Sequence, residues 1–532
     1  MDNVIFKNAR IIDGMGNPWF KGSVAIEDGQ ISEVGGVIRK NAREIDVNGL
    51  YICPGFIDVH CHPDFTVLDR SNPRDFKLRQ GITTEVGGNC GESAAPIHPT
   101  NLDLLKAYVA FESPRDGILS WEWQTFGEYL DTLDNFGIPT NFVPLVGHGT
   151  IRIAAMGFDN RLPSAQELSQ MRGYLEEAMQ AGAFGLSVGL GYAPGAFADI
   201  DEIINLAKVA AQYGTIFATH MRNYSEEILE SLNESFEVAR SAGIPVLISH
   251  LGVQGTDSGN LMHKALTALE SAREEGLDVN ADVQVYTSGG TTLRVLIPHW
   301  ASEGSLEDLF RRLRDPITRS KIKAEMNGQG RSTGQTPAVH NWENIRIGRV
   351  VTKSNQIFQG MSIAEISRAK NTDAAETVMD LVLEERCQVS MVTESKREED
   401  VQAALAHPLT MVETDAEGYV EGSPAPRQYG TFPRVLGRYV RDKKLIRLEE
   451  AVRKMTSYPA QTIKIPNKGI IREGADADLV VFNAETVIDV STLDDPKRYP
   501  KGIEYVVVNG KIVVEEGEYN GEMVGRVVRK HN

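Results

Sequence analysis

Cysteine is scarce in this chain: 532 residues contain four, Cys53, Cys61, Cys90 and Cys387. So few thiols build no disulfide framework, which excludes the stapled secreted class and fits a reducing compartment. Long apolar runs are missing as well. No uninterrupted stretch approaches the ~18 apolar residues that a bilayer crossing needs. The amino terminus, MDNVIFKNARIIDG, has neither the basic start nor the long apolar core of a signal peptide. A cytoplasmic protein that spans no membrane is therefore expected. Positive charge is in deficit: 55 Lys and Arg face 73 Asp and Glu, a formal net charge of -18, and no Lys/Arg-dense stretch occurs. Phosphate recognition needs a basic footprint, so a nucleic-acid partner is excluded, and a small-molecule partner is expected. Internal repeats and low-complexity tracts are absent too. With 41% hydrophobic and 24% charged residues, the chain is not disordered. Its oligomeric state stays open.

The length exceeds what one core fills, so at least two folding units are expected. Residues 1–55 alternate apolar and polar residues in short bursts, VIFKNARIID, GSVAIEDGQISEV and GLYICPG, divided by glycine turns. That texture is β-strand. It returns in ADADLVVFN and YVVVNGKIVVEEGEY. Two β-rich ends predict one small sandwich or barrel shared by residues 1–55 and 466–532. Over residues 56–465, eight strand-like runs occur: FIDVH, TTEVGGN, NFVPLVG, FGLSVGL, IFATHMR, PVLISHL, VNADVQVY and LTMVETD. Between most of them lie helical patterns, such as SAQELSQMRGYLEEAMQAG and SEEILESLNESFEVARSAG, that end on glycine. Strand and helix alternating in this way predict an α/β fold, a (β/α)₈ TIM barrel. The interval around residues 290–400 is far longer than an ordinary connection. It predicts an inserted subdomain or lid, including NGQGRSTGQTPAVHN.

Three of the eight runs end on histidine: His60 and His62 in DVHCHPD, His220 in FATHMR, and His250 in LISHLG. Strand ends are where such barrels place active sites. The period-2 alternation of a strand turns His60 and His62 to one face and Cys61 to the other, so two imidazoles converge. Any one of these histidines alone reads as a hydrogen-bonded core residue. Four at strand ends read as a metal site. Cys90, in GITTEVGGNCG, and Asp415, in LTMVETDAEG, also close apolar or β-branched stretches. A thiolate is a strong zinc ligand, and a carboxylate serves as ligand or proton acceptor. Alone, Cys90 would read as a small buried residue in a glycine-rich turn and Asp415 as a turn or cap residue.

The motifs PGFIDVHCHPD, GGNCG, GLSVGLGYAPG, ATHMR, ISH and YGTFPRVLGRY resemble the amidohydrolase superfamily, and within it the D-aminoacylase (N-acyl-D-amino-acid deacylase) family, over nearly the whole chain. The resemblance implies that Cys90, His220 and His250 are the tightly held zinc ligands, with the cysteine where other members carry a carboxylated lysine or a glutamate. It places His60, His62 and Asp415 around a second, weaker zinc position and makes Asp415 the general base. It also implies that the β-rich ends form the family's small β domain and that the late insertion covers substrate. The chain departs from the pattern where substrate is held. Many members have lysine shortly after the ISH motif, where this chain has Gly252; Tyr-Pro-Tyr after the seventh strand is Gln284-Val285-Tyr286; His-Pro-Arg before YGTF is Ala425-Pro426-Arg427.

The chemistry so implied is hydrolysis of the amide bond of N-acyl amino acids, D-configured by the resemblance. A zinc ion polarises the carbonyl and acidifies a water, while Asp415 takes a proton and returns it to the leaving nitrogen. Tyr192 in GLGYAPG and His148 in VGHGTIR are candidates to line the pocket, against plain packing roles, and Tyr286 joins them as substrate-binding. Arg294 and Arg427 are candidates to grip a carboxylate, because a guanidinium does so bidentately, against surface salt bridges. His98, His263, His299, His340, His407 and His531 have no ligand-like context and read as structural. GLGYAPG lacks the spacing of a phosphate loop. Two rivals remain: a cyclic amidohydrolase opening a hydantoin-, dihydroorotate- or imide-like ring, and a silent descendant of the fold acting as a scaffold. The second should have lost ligands, and none is missing.

Overall fold

The computed structural model describes residues 3–38, 40–72, 74–115, 117–255, 259–328 and 341–530. His340, His531 and most of NGQGRSTGQTPAVHN lie outside the described residues.

The central unit is a parallel barrel. Its strands are Phe56–Asp58, Ile82–Gly87, Asn141–Pro144 continued by Val146–Gly147, Gly185–Gly189, Ile216–His220, Val246–Ile248, Val279–Val283 and Thr410–Val412. Each pairs in parallel with its neighbour in that order, and Leu145 N–H donates to Gly87 O at 2.9 Å where the third strand is interrupted. The ring closes beyond the last strand, where Asp415 N–H donates to His60 O and His62 N–H to Ala416 O, both at 2.9 Å. The first strand ends at Asp58, two residues short of the run FIDVH. The chain there leaves the ladder to make the closing bonds, so the two histidines are placed by a turn and not by strand pleat.

The interior is filled by alternate strand residues, among them Ile57, Val86, Val143, Ile216, Ala218, Leu247 and Met411, and the foot is plugged by Ala460, Ile463 and Ile465. Helices pack outside. Ala165–Ala181 begins at Ser164, whose hydroxyl accepts from Glu167 N–H in a capping box, and stops at Gly182, left-handed at φ 109°. Ile228–Ala242 starts later than SEEILE suggests, because Asn223 Oδ1 accepts the N–H groups of Ser225 and Glu227 and holds a turn there.

Residues from both ends of the chain form a second unit, a nine-stranded sheet. In it Tyr51–Pro54 lies between Val4–Ile11 and Leu479–Phe482. The sheet curls until Ile31 N–H reaches Ala475 O and Gly510 N–H reaches Ala477 O, both at 2.9 Å, around a core of Phe6, Val24, Leu479, Val481 and Val507. Its other face, including Val480, Phe482 and Val506, packs on barrel helices. From Gly525 the chain runs back along the third barrel strand, with Val528 N–H donating to Phe142 O at 2.8 Å.

Between the seventh and eighth barrel strands lies a third unit with its own core of Leu293, Phe310, Leu313, Ile347, Val378 and Met391. A three-stranded antiparallel sheet, Ser288–Thr292, Ser390–Glu394 and Ile345–Ile347, is flanked by helices such as Leu306–Arg314 and Ala374–Glu384. It overhangs the carboxyl ends of the strands. Among the described residues no helix is long and apolar enough to cross a membrane.

Candidate metal centre and substrate cavity

The carboxyl ends of the barrel strands gather the donors. Cys90, His250 and Asp415 all have left-handed backbone, at φ 54°, 36° and 46°. Non-glycine residues rarely adopt it, and here it turns each side chain inward just past a strand. The GGNCG turn is pressed onto its neighbours: a Cβ on Gly88 would stand 1.9 Å from Leu145 O, and one on Gly189 would stand 2.1 Å from Cys90 O. Only glycine fits at either place.

Cys90 Sγ lies 3.2 Å from His60 Nε2, 3.4 Å from His220 Nδ1 and 3.5 Å from His250 Nε2; the last two nitrogens are 3.0 Å apart. Around a tetrahedral zinc with its usual Zn–S and Zn–N lengths, donors would be separated by about 3.3–3.6 Å. The donor set fits that ion. A second cluster shares His60: His60 Nε2 and His62 Nε2 lie 3.7 and 3.4 Å from Asp415 Oδ1. His62 Nδ1 faces Glu112 at 3.0 Å, and His60 Nδ1 faces Asp282 at 3.6 Å, the carboxylate-to-imidazole arrangement that fixes a ligand's tautomer.

The electrostatics favour ligand forms at Cys90, His220 and Asp415, whereas at His60 and His62, against the effect of burial, neighbouring Cys90, Asp282 and Glu112 hold the imidazoles well above their ordinary value. Burial opposes ionisation of the Cys90 thiol, but His60 and His220 beside it hold its pKa well below the usual thiol range. Burial keeps His220 below its ordinary value, in the neutral state a ligand requires. Burial also resists charge on Asp415, yet the Arg427 guanidinium, helped by His62, holds its carboxyl well below the usual range. A third donor group, Asp58, Cys61 and Glu85, is a different case. Lys77 Nζ bonds Asp58 at 2.5 Å and Arg74 bonds Glu85 at 2.6 Å, so two cations already fill it.

The centre opens on a cavity of about 690 Å³ lined by Tyr192, Gly252, Gln284, Arg294, Lys396 and Asp415, among others. Tyr192 donates its hydroxyl to Cys90 O at 2.5 Å and braces the cysteine turn. Arg294 stacks over Phe158 at 5.3 Å. Three residues expected at the substrate are not brought there. His148 is buried in a helix, where Glu202 accepts from it at 2.7 Å and also pairs with Arg152, so the imidazole is drawn away from the mouth. Tyr286 donates to Asp489 at 2.7 Å under the Arg434 guanidinium, toward the terminal sheet. Arg427 lies beneath the cavity wall, its Nε and Nη2 bonded to Asp415 O and Nη2 also to Gly290 O, 3.1 Å from the Asp415 carboxylate, while its buried Nη1 has no hydrogen-bond partner among the described residues. It supports Asp415. Conversely, His299 lines the cavity, with burial lowering its pKa to about 4. Asp282, Glu112 and Lys396 also stand at the site. A lone carboxylate inside VNADV is a signal for Asp282; Glu112 and Lys396 sit in stretches that carry none.

Imidazoles, a thiolate and a carboxylate converging at the carboxyl mouth of an α/β barrel define a class, the metal-binding barrel proteins. The chain belongs to the amidohydrolase family, which it matches over residues 43–514. It is 33% identical to the D-aminoacylase of Alcaligenes xylosoxydans xylosoxydans, over 99% of its own length and 98% of that protein's. Among solved structures, a D-aminoacylase with a binuclear metal centre superposes with a TM-score of 0.83 at 31% identity over 100% of both chains. The N-acyl-D-glutamate deacylase of Bordetella bronchiseptica, complexed with zinc and a phosphonate mimic of the tetrahedral intermediate, superposes with a TM-score of 0.82 at 30% identity over 99% of both.

Proposed function

We propose that this protein is a zinc-dependent hydrolase of amide C–N bonds other than peptide bonds, which removes the acyl group from N-acyl amino acids of D configuration in the cytoplasm. The observation that carries the reading is the convergence of Cys90, His220 and His250 beside Asp415 at the floor of the cavity. Relatives named for linear N-acyl-D-amino acids support it over ring opening. The free, buried thiols suit a reducing cytoplasm.

Cys90, His220 and His250 would hold one zinc ion, and His60, His62 and Asp415 would surround a second, weaker position. Bound zinc supplies Lewis-acid polarisation of the scissile carbonyl and acidifies water. Asp415 moves the proton. Its Oδ2 is held by Gln284 Nε2 at 2.5 Å and faces Arg427 at 3.1 Å, which leaves Oδ1, toward His60 and His62, to accept a proton from the attacking water. Asp415 then returns it to the departing nitrogen, and a carboxylate and an amine are released. Tyr192 keeps the Cys90 turn in place, and the overhanging subdomain restricts access of bulk water.

The test is hydrolysis of paired D and L N-acetyl amino acids by purified protein, with metal content measured on the same sample. Release of D-amino acid is expected, together with a ~10²–10⁴-fold loss in Asp415→Asn. Full activity in Asp415→Asn, or ring opening of hydantoins with no deacylation, would overturn the proposal.

A further inference from the structure

On the side of His62 turned away from Asp415, two carboxylates converge. Glu112 Oε2 lies 3.0 Å from His62 Nδ1 and Glu92 Oε2 lies 3.7 Å from it, and one donor atom from each of the three falls within 4.8 Å of the others. Around a tetrahedral zinc with bonds near 2.0–2.1 Å, neighbouring nitrogen and oxygen donors stand about 3.3 Å apart. The two spacings bracket that value. All three side chains are out of solvent, with Glu112 1%, Glu92 4% and His62 5% exposed. His62 Nδ1 and Glu112 Oε2 have no hydrogen-bond partner among the described residues, although they are 3.0 Å apart. The pair therefore lacks the alignment of an N–H···O bond.

Both carboxylates are held from behind. Glu112 lies in the turn after the helix Leu102–Tyr108, where its N–H donates to Val109 O at 3.2 Å, and the carbonyl of the next residue, Ser113, accepts from the buried Arg349 at 2.7 Å. Glu92 follows the GGNCG turn: its N–H donates to Asn89 O at 2.8 Å, and Ser93 N–H donates to Thr150 Oγ1 at 3.0 Å. The charge here is unbalanced. Glu112, Cys90 and Asp64 all bear on Glu92 as like charges, and His62 is the compensating neighbour of Glu92 and of Glu112 alike. Carboxylates crowded together out of water are costly unless a cation pairs them. Glu92 and His62 also line the cavity, which gives an ion a way in and room for water to complete its shell.

We propose that Glu92, Glu112 and His62 Nδ1 form a further binding site for a divalent cation such as zinc, distinct from the position at Cys90, His220 and His250 and from the weaker one at His60, His62 and Asp415. A neutral imidazole has one lone pair. His62 therefore serves either this site through Nδ1 or the weaker position through Nε2, and the two exclude each other. With the cation at Nδ1, the ring proton sits on Nε2 and faces Asp415 Oδ1, 3.4 Å away. The site does not depend on the deacylase reading.

Its test is a zinc titration by calorimetry, with bound metal counted on the same samples, of wild type, Asp415→Asn, Asp415→Asn/Glu92→Gln and Asp415→Asn/Glu112→Gln. Two equivalents are expected in wild type. Asp415→Asn removes a ligand of the weaker position and none of the new site, so a second equivalent should still bind. Adding either glutamine should weaken that equivalent by at least ~10-fold and leave the first in place, which also shows that the variant is folded. If one glutamine variant fails to hold the first equivalent, the other decides. Loss of the second equivalent in Asp415→Asn, or its survival at unchanged affinity with Glu92→Gln or Glu112→Gln added, overturns the site. Three equivalents in wild type overturn the sharing of His62. A protein that binds zinc as expected but deacylates nothing loses the functional reading and keeps the site.

Discussion

Gly252 and Lys396 form a reciprocal pair, one lacking the side chain whose place the other fills. A bulky residue at 252 therefore acts on the lysine and not on the metal. Gly252→Leu is expected to push Lys396 aside and raise KM for an N-acyl-D-amino acid by ~10-fold with metal content unchanged, measurable by steady-state kinetics on metal-assayed protein. The pH dependence has a definite sign. With its pKa lowered to about 8, Lys396 is protonated below that pH and neutral above it. The kcat/KM for an anionic N-acyl amino acid should thus fall as pH rises through about 8, measurable as a pH–rate profile. Residues of this kind mark the limit of sequence reading. His60, His62, His220, His250, Cys90 and Asp415 were legible because each ends an apolar run. Lys396 sits in TESKREED, which reads as a solvated charged face, and only the folding of the insertion back over the barrel places it in the wall. His148, Tyr286 and Arg427 misled for the converse reason: their neighbours in sequence belong to the mouth, while their partners Glu202, Asp489 and Asp415 determine where the side chains point.

At the scale of elements, the first two barrel strands and the short helix Asp75–Leu78 are joined by a buried ionic cluster in which Glu85 meets Arg74 and Thr140 at 2.6 Å and Lys77 at 3.4 Å. Burial alone would raise the Glu85 carboxyl, but Arg74 and Lys77 hold it down to about 2. Folding thereby favours its ionised form. Its contribution is full above about pH 4.5 and is lost as pH falls toward 2. Removing the charge leaves the buried Arg74 without its carboxylate, while Lys77 keeps Asp58. Glu85→Gln should destabilise the fold by about 3–5 kcal/mol in urea unfolding at neutral pH, and the difference from wild type should shrink as the solution is acidified. The order of strands and helices was legible from periodicity and glycine stops. Their ends were less so, because the closing bonds at His60 and Asp415 and the turn held by Asn223 depend on contacts far along the chain or on side-chain capping that no hydrophobic pattern encodes.

Over the whole molecule, the centre draws its donors from the first, second, fifth, sixth and eighth barrel strands, so an ion bound there ties together most of the ring. A metal ion held there would bind the folded donor set more tightly than the unfolded chain. At a free concentration 100 times its Kd it should add about 2.7 kcal/mol of stability. Calorimetry should accordingly show a lower Tm after chelation, recovered on adding zinc, and a Tm indifferent to chelator would remove the centre from any structural role. The terminal sheet has a consequence of another sort, in time. The edge of Tyr51–Pro54 is completed only by Leu479–Phe482. At usual synthesis rates of ~5–20 residues per second, that edge waits roughly 20–90 s on the ribosome before its partner is made. The barrel itself can close only late in that interval, once Thr410–Val412 has been made, and an unpaired strand edge is exposed to association with other chains throughout it. The order of synthesis therefore makes this sheet close late, and a stall between residues 54 and 479 would leave a nascent chain with an open β edge.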